Sequence, residues 1–110
     1  MSENHGNVKV FANTAAQRFE AEVAGYQAVL EYYLAESSIV FTHTGVPAEI
    51  EGQGVGSSLA RAGLDYARDK KLTVVPLCPF VEDYLRKHQE DLPLVEPRYR
   101  KRLFPESPIS

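Results

Sequence analysis

The chain contains a single cysteine, Cys78. No intramolecular disulfide can form, and a metal site of the CxxC type would need more thiolates than are present, so no metal is expected and a reducing compartment fits best. Long hydrophobic runs are also missing. No apolar stretch approaches the ~20 residues that span a bilayer. The opening segment Met1-Ser2-Glu3-Asn4-His5-Gly6-Asn7 is polar, without the apolar region behind a basic flank that an export signal requires. The expected location is cytoplasmic. Positive charge is in short supply as well: 12 Lys and Arg stand against 15 Asp and Glu, a formal net charge of -3. Binding to nucleic acid or anionic membrane draws on clustered cations, so neither is an expected partner.

What remains is ordinary for a folded domain: 110 residues, 44% hydrophobic and 25% charged. One domain over residues 1–110 is expected, with its core at about 8–95 and a peripheral segment at about 96–110, where prolines and charges lack periodicity. There is no internal repeat. Phe19, Ala21 and Val23 alternate with Arg18, Glu20 and Glu22, the period of a strand with one buried face. Gly25 marks a turn, and Tyr26 to Leu34 alternates again. That stretch also suits a helix, since Ala, Leu and Glu favour one, although Gly25 and the tyrosines favour the strand. With Ile39 to Thr44 it makes an antiparallel meander.

Pro47 and the glycines at 52, 54 and 56 then lead into a helix expected from about Gly54 to Lys70, with Val55, Leu59, Ala62 and Tyr66 on one face. Leu72 to Leu77, rich in β-branched residues, should return to the sheet parallel to the strand ending near Thr44, closing a βαβ unit. Pro79 suits the first turn of a second helix bearing Val81, Tyr84, Leu85 and His88, which places Cys78 at its N-cap. The expected class is thus α/β (α+β), a mostly antiparallel sheet with one parallel pair and two main helices.

Three glycines at a strand-to-helix junction let backbone N–H groups converge where the helix carries partial positive charge, which describes an anion site. On spacing alone a tight turn explains them equally well. A Walker A loop would need Gly-Lys-Ser or Gly-Lys-Thr, and a dinucleotide GxGxxG read from Gly52 fails at Ser57. The GNAT signature, Gln or Arg, two residues, Gly, one residue, Gly or Ala, is met by Gly54 and Gly56, with Glu51 where Gln or Arg is usual. The runs His43-Thr44-Gly45-Val46-Pro47, Glu51 to Leu59, Leu64-Asp65-Tyr66-Ala67-Arg68 and Val74-Val75-Pro76-Leu77-Cys78-Pro79-Phe80-Val81 extend the likeness. From about Arg18 to Val95 the chain resembles a compact, single-domain, acetyl-CoA-binding subfamily of the GNAT N-acetyltransferase superfamily.

The resemblance implies a GNAT-type fold in which two parallel strands, ending near Val46 and Leu77, splay apart around the pantetheine arm of acetyl-CoA. Thr44 and Val46 would meet that arm. The pyrophosphate would meet the amides of Gln53, Gly54, Val55, Gly56, Ser57 and Ser58. The implied activity is transfer of an acetyl group to a primary amine, on a small molecule or a protein lysine, by a monomer or weak homodimer. The alternative is a module that holds CoA with little or no turnover; a nucleotide-binding α/β domain is a third reading.

Candidate chemistry rests on few residues. Cys78 at an N-cap would have its thiol pKa lowered and would face the thioester, able to take up an acetyl group; otherwise it is a small buried hydrophobe. His43 has a pKa suited to deprotonating an ammonium, or is a hydrogen-bonded histidine of the core. Related sequences often carry an acidic residue where Gly45 stands, and a proton-donating tyrosine where Leu85 stands. Tyr84, one position off, either packs in the core or lines the cofactor groove.

Overall fold

A computed structural model describes residues 8–103. Five strands form one sheet in sequence order: β1 (Val10–Asn13), β2 (Arg18–Val23), β3 (Tyr26–Ala35), β4 (Ser38–Gly45) and β5 (Thr73–Pro76). The first four pair antiparallel and β4 pairs with β5 in parallel, across the crossover helix α1 (Val55–Lys70). Helix α2 (Pro79–Lys87) follows β5, and a 3-10 segment, Gln89–Leu94, leads to α3 (Pro97–Leu103).

The alternation along β2 and β3 sends Phe19, Ala21, Ala28, Leu30 and Tyr32 to one face, where they are buried with Ile39, Phe41 and Val74. Helix α1 covers this face with Val55, Leu59, Ala60, Leu64 and Ala67, and α2 adds Val81 and Leu85 beside it. The strand reading of Tyr26 to Leu34 holds because that face has a helix to bury it. The β2–β3 turn uses positive φ at both Ala24 (52°) and Gly25 (84°), the two-residue geometry that matches strand twist.

The structure departs from the sequence reading in three places. Strand β1 was not foreseen; it pairs Val10 to Ala21 and Asn13 to Arg18 at the sheet edge. Residues 97–103, expected to be peripheral, form a helix that packs on α2, with Leu103 fully buried, so the core extends past residue 95. The chain before it also closes the outer side of β5: Val95 bridges Val74, and Glu96 N donates to Val74 O at 2.9 Å.

A carboxylate clamp holds this C-terminal part to α1. Asp91, 1% exposed, accepts two bonds of 3.0 Å from Arg61 and another from Arg68, while Asp65 lies 3.0 Å from Arg68. The Nε of Arg61 faces Asp65 at 3.3 Å as an ion pair without hydrogen-bond geometry. A carboxylate buried this completely is tolerable only with such partners.

Helix α1 approaches the sheet most closely at Gly63. A Cβ there would lie 2.8 Å from the Phe41 ring, itself without exposed surface, and 3.1 Å from Leu30. Alanine would gain about 1 kcal/mol of helix propensity, but overpacking a rigid core costs about 1–3 kcal/mol. Gly63→Ala is therefore expected to lower stability by up to about 2 kcal/mol, read as a reduced urea midpoint with unchanged slope.

Candidate functional site

The site arises where β4 and β5 stop pairing. Their ladder runs from Ser38 and Thr73 to Phe41 and Pro76. Its last bond is Leu77 N to Phe41 O at 3.0 Å. Leu77 is thus the last residue of the β5 side to face β4; Pro79, two residues on, sits at the first helical position with φ already suited to α2, so the chain leaves the sheet here. Strand β4 continues to Gly45. Opposite β3 it carries an extra residue: Glu31 pairs with His43 but Tyr32 pairs with Phe41, a bulge at Thr42, whose hydroxyl donates to Glu31 O at 3.3 Å. Bulges bend a strand and re-aim its side chains. From Thr42 to Gly45, β4 has no strand partner on the β5 side among the described residues.

Beside this split lies a cleft of about 460 Å³ lined by Thr44, Val46, Ile50, Glu51, Gly52, Gly54, Val55, Gly56, Ser57 and Phe80. Gly52 and Gly54 have φ of 82° and 79°, a conformation that side chains resist, and Gly54 is the N-cap of α1. The first helical bond of α1 is Ser58 N to Gly54 O at 3.0 Å. The amides of Val55, Gly56 and Ser57 precede it and so lack helical acceptors at the positive end of the helix dipole. All three residues line the cleft.

Thr44, Val46, Gly54, Val55, Gly56 and Ser57 come together in the cleft. Ser58 does not belong with them, because its N–H is spent inside the helix and its side chain is buried. Gln53 is exposed and outside the lining. Gly56 differs from the other two glycines: it lies within α1 without positive φ, and its missing side chain makes room for the Phe80 ring.

Cys78 does occupy the N-cap of α2, but its thiol makes no capping bond. Instead Sγ lies 3.0 Å from Thr44 Oγ1, bridging the split strands from a position 2% exposed, behind a residue that lines the cleft. His43 is exposed and outside the lining; its Nε2 lies 3.3 Å from where a Cβ on Gly45 would stand, so both sit on the sheet face turned away from Thr44. Tyr84 packs in the core, stacked on His88 with ring centres 3.9 Å apart and under the Arg61 guanidinium at 5.8 Å. Burial pushes its phenol up from the ordinary tyrosine value, against the Arg61 charge, which lowers it. Tyr84 is absent from the cleft lining, so of the two readings it follows core packing. Sequence reasoning passed over Ile50 and Phe80 as lining; the apolar Phe80 after the helix-starting Pro79 was the available signal for the second.

A mixed sheet with a split parallel pair, and a helix N-terminus rich in glycine at the mouth of the split, together make up the candidate site. A family model described as GCN5-related N-acetyl-transferase matches residues 18–93, and the chain belongs to this acetyltransferase family. Similar proteins include Protein NATD1 of Mus musculus, 29% identical over 94% of this chain and 91% of that protein. Protein NATD1 of Homo sapiens is 32% identical over 72% of this chain and 66% of its own length. An NMR structure of a candidate GCN5-like N-acetyltransferase from Staphylococcus aureus superposes with a TM-score of 0.64 at 26% identity, covering 83% of this chain and 90% of that one. No helix among the described residues is long and apolar enough to cross a membrane.

The position of Cys78 sets an expectation for its reactivity. A thiol without a capping bond and with 2% exposure must wait for local opening before a reagent reaches it. Alkylation by iodoacetamide near neutral pH is expected to be at least about tenfold slower than for a free thiol, and to reach the free rate in denaturant. Mass spectrometry of timed samples measures this, and a fast native rate would place the thiol in the cleft instead.

Proposed function

We propose that the cleft binds acetyl-coenzyme A and that the protein transfers the acetyl group to a primary amine. The observation that carries this reading is the set of amides of Val55, Gly56 and Ser57, which have no helical acceptors and belong to residues lining a cleft that takes in Thr44 beyond the end of the β4–β5 ladder. Three N–H groups at a helix N-terminus suit a pyrophosphate. The unpaired edge of β4 suits a peptide-like arm, whose amides can take the bonds a sixth strand would have made. Val46, Ile50 and Phe80 offer apolar walls beside it. When bound, acetyl-CoA supplies an activated acyl group: its C–S bond breaks as a C–N bond forms, the amine loses a proton and the CoA sulfur gains one.

The chain's own contribution to those proton movements is sparse. Glu51 is the sole titratable residue lining the cleft among the described residues, whereas His43 lies on the far face and Cys78 lies behind Thr44. A second reading, a CoA-binding module with weak turnover, draws its support from this sparseness. In the transferase reading, His43 would take a proton from an amine that reaches the split from that far face, and Cys78 would act on the cleft only through its contact with Thr44.

Three measurements test the assignment. A ligand that binds only the folded state at about 100 times its Kd adds about 2.7 kcal/mol, so acetyl-CoA at such excess should raise Tm, with ATP and NAD doing far less; no shift with CoA, or equal shifts with all three, overturns the cofactor. Turnover across a panel of amines separates the enzyme from the binding module. Glu51 is exposed at the cleft and carries the same sign as the phosphates. An exposed charge contact is worth about 0.2–1 kcal/mol, so Glu51→Gln should tighten CoA binding up to about fivefold, an effect that fades as salt rises.

A further inference from the structure

Phe80 is the second residue of α2 and remains 39% exposed, unusual for the largest apolar side chain in that helix turn. It lines the cleft together with Thr44 and Val46. Its ring is seated on the first turn of α1: a Cβ on Gly56 would stand 2.6 Å from the ring's Cζ and 3.1 Å from both Cε atoms. Gly56 has no conformational need to be glycine. Gly52 and Gly54 have positive φ, and Gly56 does not, so any L residue could take its backbone shape. Its Cα is bare because the ring rests there.

We infer that Phe80 is a binding residue for the cofactor arm and that Gly56 serves to seat it, rather than to let phosphate approach the backbone. This rests on the cleft being the CoA site. The ring bridges the first turns of α1 and α2, next to the free amides and on the route from them to the split strands. An arm leaving the amides toward Thr44 passes the exposed part of the ring and covers it. Aromatic surface left open in a cleft is binding surface. The two residues then form one device. An added methyl at position 56 meets the far end of a side chain, not backbone, so the ring swings away while the Gly56 amide stays in place.

A double-mutant cycle read in CoA affinity tests this, with calorimetric titration of wild type, Phe80→Ala, Gly56→Ala and the double variant, and urea midpoints to confirm that each is folded. Phe80→Ala is expected to weaken CoA about tenfold, the effect of losing most of one aromatic contact. Gly56→Ala should produce a comparable loss through displacement of the ring. In the Phe80→Ala background it should add less than about twofold, because there is no ring left to displace. Phe80→Leu, which keeps an apolar side chain, should lose less than Phe80→Ala. Losses that multiply in the double variant would mean that position 56 acts on the phosphates directly, and unchanged affinity in Phe80→Ala would remove the ring from the site; either overturns the inference while leaving CoA binding intact. Absence of CoA binding in the wild type would remove the cofactor reading, and this inference with it.

Discussion

The early end of the β4–β5 ladder is the constraint on which the rest of the site depends. Pro79 enforces it from the β5 side, fixing the first turn of α2 two residues after Leu77 makes the last bond to Phe41. On the β4 side the bulge at Thr42 bends the strand away while β3 continues to hold it through the His43 and Gly45 pairs. The gap is therefore not a defect in the sheet. Unsatisfied strand groups are tolerable because they face an open cleft, and the one direct link across the gap, Thr44 Oγ1 to Cys78 Sγ, joins side chains rather than backbones.

Holding two strands apart requires that both be fixed elsewhere. Strand β4 is fixed by seven residues paired antiparallel with β3 and by α1, whose Gly63 lets the helix sit directly on Phe41. Strand β5 is only four residues long, and its outer edge is covered by Val95 and Glu96. That cover is itself held to α1 by Asp91 between Arg61 and Arg68. The clamp acts on the C-terminal segment and so adds to the β4 ladder and the packing of α1 and α2 in holding β5 beside the cleft.

Much of this was legible in the sequence, for identifiable reasons. Period-two alternation in residues 18–23 and 26–34, and the long amphipathic run from Val55, are properties of contiguous residues and survive folding unchanged. Pro79 fixed the start of α2, and hence the backbone place of Cys78. What could not be read depends on residues far apart in the chain. The thiol turned to Thr44, 34 positions away, instead of to its own helix. The bulge at Thr42 exists only in the register with β3. Strand β1 is four residues, too short to show a period, and α3 carries four cations in seven residues, with its buried contact confined to Leu103 at the end. The three glycines look equivalent as letters, whereas their φ angles and neighbours divide them into two that bend the backbone and one that makes room.

Under the proposed function, a cleft with no Lys or Arg among the described residues of its lining and one carboxylate at its rim would have to hold phosphates, and magnitudes decide whether it can. A hydrogen bond to a charged group contributes about 1.5–3 kcal/mol, and three amides at a helix N-terminus can each make one. The helix dipole adds about 0.3–1 kcal/mol. Against this, Glu51 is exposed, so its repulsion is screened to about 1 kcal/mol or less. The amides would prevail by several kcal/mol, and they would do so through backbone groups whose placement depends on positive φ at Gly52 and Gly54 rather than on any charged side chain. Recognition of this kind has little long-range steering and strong dependence on loop geometry. It is consistent with a chain of net charge -3 whose most stringent local requirements are two glycines and the ring seated on a third.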